Sequence, residues 1–230
     1  MGKVVAIVQS NYIPWKGYFD LIRRVDEFIL FDDAQYTRRD WRNRNKIKTP
    51  TGLRWLTIPV EVKGKFSHAI KDTVISDPGW AMHHWQTLVH NYARAKYFSL
   101  YRDELEELYS GTTTRYLSEI NFRFLNALCR ILEITTRLSW SMDYELVPGK
   151  TERLVSLCKQ ARAAEYLSGP SARGYLDEDL FRAENITLRY MDYSGYPEYD
   201  QLYPPFEHAV SVIDLILNTG PDAPKYLQSL

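Results

Sequence analysis

Val4 to Val8 is an unbroken apolar run, the pattern of a strand covered on both faces by helices. A polar, turn-rich stretch from Gln9 to Gly17 follows, after which Tyr18, Leu21, Ile22 and Val25 recur at helical spacing. A second apolar run, Glu27 to Phe31, stops abruptly at Asp32-Asp33. The pattern predicts a βαβ unit, and with it a parallel sheet whose loops face one edge.

Residues 34 to 52 are dense in charge and amide groups, and Arg54 to Val60 then alternates like a strand, with Thr73 to Ile75 as a further short candidate. Helices are predicted over Trp80 to Tyr97 and around Leu117, Ile120, Phe124, Leu128 and Ile131. Strand and helix then alternate again: a strand over Thr135 to Trp140, a helix from Thr151 to Ala164 capped by Thr151, and a short strand over Glu165 to Leu167 that runs into the Ser168 to Gly174 loop. A strand near Ile186 to Tyr190, a Pro- and Tyr-rich loop and a last helix with Phe206, Ala209, Val210, Ile213 and Leu217 inward complete the chain. The expected fold is three-layer α/β with a mainly parallel sheet, one domain over residues 1–230 with an inserted helical subregion near 80–132.

Composition narrows the function classes. Lys plus Arg and Asp plus Glu are 29 each, so no bulk positive field exists to hold nucleic acid or an anionic membrane, and any polyanion site must be local. Apolar runs are far shorter than the roughly 20 residues that cross a bilayer, and the residues before Gln9 are too few for a signal-peptide core, so a cytoplasmic protein is expected. Gly2 is no myristoylation site, because Ala6 stands where Ser or Thr is wanted. Cys129 and Cys158 lie in apolar periodic segments with no CxxC partner, which predicts buried free thiols and no zinc or other metal site.

Candidate chemistry concentrates at the predicted strand ends. The loop holding Gln9, Asn11, Tyr12, Trp15 and Gly17 opens the first helix, where free amides favour an anionic ligand, but it carries neither the dinucleotide fingerprint nor a Walker loop. Asp32 and Asp33 are open to two readings, a solvated turn or carboxylates that take a proton or hold Mg²⁺ with phosphate. Arg38, Arg39, Arg42, Arg44, Lys46 and Lys48, interleaved with Trp41, Asn43 and Asn45, read as a solvated basic face, a phosphate site or a tRNA contact. In the loop with Ser168, Gly169, Ser171 and Arg173, backbone amides and the guanidinium can cradle phosphate, although an ordinary turn explains it equally. His83, His84 and His90 lack the spacing for a shared metal and read as surface or hydrogen-bonded core residues. Loop aromatics such as Tyr12, Trp15, Tyr193 and Tyr196 suit stacking on sugars and bases, or simply cover loops.

The series Gln9, Tyr12, Pro14-Trp15, Gly17-Tyr18, Asp26, Asp32-Asp33, Gln35-Tyr36, Asn43-Arg44-Asn45, Trp55-Leu56-Thr57, Pro59-Val60, Tyr166 to Ser171 and Ser211 to Asp214 resembles the WbqC-like family over nearly the whole chain. That family is associated with bacterial surface-polysaccharide and amino-sugar gene clusters, O-antigen and lipopolysaccharide among them, so the resemblance implies decoration of a sugar. Ser10 departs from it where many relatives carry Pro. More weakly, Pro14 to Ile22 and Asp32 to Tyr36 are similar to the nucleotidylyltransferases and pantothenate synthetase, with Trp15 and Tyr18 at the positions of their two histidines. This similarity implies a nucleotidylyltransferase-like sheet with Ser168 to Gly174 at ATP phosphates, and requires Arg44 and Arg173 to replace the missing imidazoles.

The combined expectation is an acyl or aminoacyl transferase, or ATP-dependent amide ligase, that N-acylates a nucleotide-linked amino sugar from a small acyl or aminoacyl donor, using ATP with Mg²⁺. Asp32, Asp33 and Tyr36 are its catalytic candidates. Gln9, Asn11, Tyr12, Trp15, Gly17, Tyr18, Gln35, Arg42, Asn43, Arg44, Ser168, Gly169, Ser171 and Arg173 are its binding candidates. The alternatives are a non-catalytic sugar-nucleotide-binding or scaffold protein, and a transferase that draws its acyl group from aminoacyl-tRNA.

Overall fold

The structure is a computed structural model that describes residues 2–65 and 67–227. Five strands, β1 (Lys3–Val8), β2 (Glu27–Leu30), β5 (Arg137–Trp140), β6 (Ala163–Ser168) and β7 (Thr187–Tyr190), form one sheet in the order β5-β2-β1-β6-β7. Every neighbouring pair is parallel, with Val8 opposite Leu30 and Val5 opposite Tyr166. The chain builds outward from β1 through β2 to β5, then returns to the other side of β1 for β6 and β7, so the order reverses between β1 and β6. The loops after these two strands diverge and leave a crevice, the usual ligand position in such sheets.

Alternation along β1 separates two cores. Val5 and Ile7, with Ile29 and Tyr166, pack under α5 (Thr151–Gln160) and α6 (Glu178–Ala183). Ala6, Phe28 and Leu30 face the opposite way, into a larger core built by α1 (Lys16–Arg23), α2 (Trp80–Tyr92), α3 (Phe98–Ser110), α4 (Leu117–Ile131) and α7 (Val212–Thr219). Helix layers thus cover both faces, giving the expected three-layer α/β architecture. Cys129 and Cys158 are buried free thiols, one in each core, and burial pushes both up to about 12. Among the described residues no helix is long and apolar enough to cross a membrane.

The insertion between β2 and β5 departs from the sequence expectation in three places. Residues 34 to 52 contain a strand, β3 (Arg44–Thr49), which pairs antiparallel with β4 (Gly52–Thr57) in a separate hairpin. Thr73 to Ile75 makes only isolated bridges, Val74 with Tyr116 and Ile75 with Val60. The helix expected over Trp80 to Tyr97 ends at Tyr92, and α3 follows as a separate helix. Farther on, Thr151 does not cap α5: its hydroxyl accepts the Asp177 N–H at 3.2 Å, and Lys150 takes the cap position without a side-chain hydrogen bond. The final helix begins at Val212, leaving Phe206 and Ala209 in the preceding loop.

Candidate functional site

The loop that leaves β1 is fixed from several directions. The Ser10 N–H donates to Asp32 Oδ1 at 2.8 Å, Tyr12 N–H to the Trp41 carbonyl at 3.2 Å, and Val212 N–H to the Pro14 carbonyl at 2.9 Å. Buried Ile13 holds φ +37°, a conformation that costs a β-branched residue about 1–3 kcal/mol and persists only where surrounding contacts impose it. Trp15 then lies over Gly17, where a Cβ would come within 2.3 Å of the indole, so glycine is required for the ring to settle there. The same indole meets Tyr193 edge-on, with ring centroids 5.2 Å apart.

Trp15 and Tyr193 form one wall of a cavity of about 830 Å³ at the crevice between the ends of β1 and β6. This volume lies within the range of small-molecule sites. Of the sequence-predicted residues it gathers Gln9, Trp15, Tyr18, Gln35, Arg42, Ser168, Gly169 and Ser171. It also gathers Tyr166 of the family series and Tyr175, a loop aromatic, with Lys150 and Arg153 from the start of α5, neither of which the sequence singles out as a binding candidate. The Lys150-Thr151-Glu152-Arg153 run carried the missing signal, two cations at a helix start after a strand, and was read only as a helix cap.

Charge in this cavity is one-sided. Arg42, Lys150 and Arg153 line it, and among the described residues no Asp or Glu does. Arg42 donates through Nη1 to Asn11 Oδ1 at 2.5 Å and to the Gln9 carbonyl at 3.3 Å, and its Nη2 lies 3.6 Å from Asp40, while its buried Nε has no partner. Arg153 Nε donates to the Val147 carbonyl at 2.8 Å, which orients the guanidinium. α5 starts beside this lining without a side-chain cap, which brings the positive end of its dipole to the cavity. Tyr18 donates to the Gln9 carbonyl at 2.9 Å, and burial pushes its phenol well above the ordinary range, so it is a neutral donor.

The remaining candidates lie elsewhere. Asp32 is fully buried, with its second oxygen accepting the Ser118 hydroxyl; burial raises its carboxyl although these hydrogen bonds oppose the shift. Asp33 pairs with Lys71 at 2.5 Å and accepts the Ser141 hydroxyl at 2.6 Å. Both carboxylates hold segments together outside the cavity lining, and their committed oxygens do not fit a Mg²⁺ site. Among the described residues no group of three or more His, Cys, Asp or Glu could hold a metal ion.

Tyr36 is buried and stacks on His68 with centroids 5.4 Å apart. Asn43 donates to the Ile58 carbonyl at 2.8 Å, bracing the hairpin. Arg44 lies over the Trp55 ring at 4.1 Å, and exposed Arg173 over Tyr190 at 4.7 Å, so neither guanidinium takes the place expected for it at the cavity. The basic stretch is divided: Arg42 lines the cavity, Lys48 donates to the Pro205 carbonyl, and Arg38 donates to the Val62 carbonyl at 2.7 Å.

Tyr12 is also unavailable for stacking, because it is fully buried. His84 Nε2 lies 3.2 Å from the Thr57 carbonyl, which can only accept, so Nε2 carries the proton. Nδ1 therefore accepts from Tyr12 at 2.9 Å, and Tyr12 in turn accepts from Tyr109 at 2.9 Å. Burial lowers the imidazole to about 4, the Thr57 carbonyl acting in the opposite sense. The expectation of a hydrogen-bonded core histidine is met by His84.

The profile of the WbqC-like protein family matches residues 9–226. The chain belongs to the WbqC-like family. This WbqC-like chain is also 55% identical over 226 residues to the uncharacterized protein Rv1507c of Mycobacterium tuberculosis (strain ATCC 25618 / H37Rv), across 98% of each chain. No solved structure matches it.

Proposed function

We propose that this WbqC-like protein binds a nucleotide or other phosphorylated ligand in the crevice between β1 and β6, and that it N-acylates an amino sugar in surface-polysaccharide biosynthesis with ATP activating the acid. The observation that carries the reading is the lining of three cations and no carboxylate among the described residues. Such a site rewards an anion and penalises a cation. The amino-sugar part rests on the gene-cluster association that goes with the family resemblance.

Carboxylate activation suits this lining. A substrate carboxylate oxygen forms a bond to the α-phosphorus of ATP, the bond to the β-phosphate oxygen breaks, and pyrophosphate leaves. No proton moves, so the work is orientation and charge stabilisation, which Arg42, Lys150, Arg153 and the first turn of α5 can supply. The sugar amine then forms the C–N bond, AMP leaves, and the amine proton passes to solvent. Asp32 and Asp33 take no part, since both are already bonded within the protein.

The test is exchange of labelled pyrophosphate into ATP in the presence of pools of small carboxylic and amino acids. Exchange that depends on one acid supports the reading. Saturable ATP binding by calorimetry with no acid-dependent exchange removes the activation step, and absence of binding by ATP and by UDP- and dTDP-linked amino sugars removes the whole reading. The non-catalytic alternative draws on the same lining, because no carboxylate there offers to take the amine proton. An acyl-tRNA donor draws less support, because the cations of the Arg38 to Lys48 stretch are dispersed among the cavity, Trp55 and the loop at Pro205.

A further inference from the structure

A second cavity, of about 240 Å³, shares Trp15 with the first and is lined by Asn11, Pro14, Trp15, Trp41, Asn45 and Ala209. Its chemistry is the opposite of the first: none of these six residues is charged. Two indoles, a pyrrolidine ring and a methyl group supply flat apolar contact, and two carboxamides supply the polar edge. Asn45 is buried and fixed, its Oδ1 accepting the Lys46 N–H at 2.8 Å and its Nδ2 lying 3.4 Å from the Tyr12 carbonyl. Asn11 Oδ1 accepts from Arg42, which leaves the Asn11 Nδ2 hydrogens for a guest.

Trp41 gives the cavity its second, independent signature. Its residue is 40% exposed, although an indole gains most by burial. It is nonetheless held in place. Trp55 packs against it with centroids 5.3 Å apart, the Arg44 guanidinium lies over Trp55 at 4.1 Å, and the Trp41 carbonyl accepts the Tyr12 N–H. An exposed ring fixed from behind costs little further ordering when a ligand covers it.

We propose that this second cavity binds one neutral monosaccharide ring, its C–H face against the indoles of Trp41 and Trp15 and its hydroxyls on Asn11 and Asn45. Neutral walls disfavour a phosphate or carboxylate here, and paired carboxamides complement hydroxyl groups, which both donate and accept. The site is separate from the reading of the first cavity: a neutral ring held here is a sugar unit other than the amine-bearing acceptor, and it binds whether or not that reading holds.

Saturation-transfer NMR with the methyl glycosides of glucose, galactose, N-acetylglucosamine and fucose at millimolar concentration tests it, with methyl benzamide as a flat aromatic competitor. The expected result is saturation at ring protons of at least one glycoside. That signal falls at least fivefold in Trp41→Ala and in Ala209→Trp, which removes a wall and fills the space respectively. Circular dichroism and thermal unfolding establish that the variants are folded, and because Trp41 lies outside the lining of the first cavity, calorimetry on Trp41→Ala should show unchanged ATP affinity. Should either variant lose its fold, Asn11→Ala provides the third. No saturation for any glycoside, equal saturation in the variants, or saturation of the benzamide alone overturns the proposal. Glycoside binding without ATP binding leaves it standing and overturns the reading of the first cavity instead.

Discussion

Asp32 Oδ1 accepts the backbone N–H of Ser10 at 2.8 Å, so the carboxylate that ends β2 holds the loop that begins the cavity. Its other oxygen takes the Ser118 hydroxyl of α4, tying the inserted helices to the same point. Asp32→Ala should therefore leave two buried donors unsatisfied and lower stability by about 2–4 kcal/mol in urea unfolding. Asp32→Asn, which keeps one acceptor, should cost less. A proton-accepting Asp32 would give the reverse result: full stability in Asp32→Asn and no turnover.

The buried imidazole of His84 sets an acid limit. Its folded pKa of about 4 lies below the ordinary 6.5, so between these values the unfolded chain binds a proton that the folded chain does not. Stability contributed by neutral His84 is present above pH 6.5 and is lost as the pH falls toward 4, by about 2–3 kcal/mol. Unfolding free energies from urea titrations at pH 7 and pH 5 should differ by about 2 kcal/mol more in the wild type than in His84→Gln.

Lys16 sets a change of the same origin at alkaline pH. Its ammonium is buried, donates to the Pro197 carbonyl at 2.8 Å and lies 5.2–5.8 Å from the rings of Tyr196, Tyr199 and Phe206. Burial lowers it from 10.5 to about 8, despite the attraction of Glu198. Between these values the unfolded chain holds the extra proton, so the wild type should gain stability from pH 8 to pH 10 relative to Lys16→Met. A flat difference between the two proteins across that range would refute the assignment.

Phosphate affinity separates the arginines. Arg153→Ala should weaken ATP binding about 5- to 20-fold, the loss of roughly one charge-assisted hydrogen bond, whereas Arg44→Ala should leave it unchanged, because Arg44 rests on Trp55. Calorimetry on both variants decides between this and the sequence expectation that Arg44 binds phosphate.

The sheet was legible wherever burial speaks through apolar residues, as in Val4 to Val8. It was hidden in β3, whose run Arg44-Asn45-Lys46-Ile47-Lys48-Thr49 reads as a charged loop. There the buried positions include Asn45 and Lys48, whose side chains reach the distant Tyr12 and Pro205 carbonyls, and Thr49, which bonds within the turn to Gly52. The break between α2 and α3 was missed because Trp85, Leu88 and Tyr92 share a helical period with Ala95 and Phe98. In the site, Gln9, Trp15 and Ser168 were readable because strand ends mark a parallel sheet's ligand edge. Asp32 misled because a charged residue at that edge serves equally well as an internal acceptor, and only its partners tell the two apart. Lys150 and Arg153 stand in the sequence as two cations at a helix start, but that they line the cavity depends on how α5 sits against β6, which the run itself does not encode.

Trp15 lines both cavities, so a change in the setting of its ring alters the two together. Any guest of one cavity that shifts the indole changes affinity at the other, and the factor is then the same in either direction. The difference in emission between the wild type and Trp15→Phe separates that side chain from the other five tryptophans and reports the linkage.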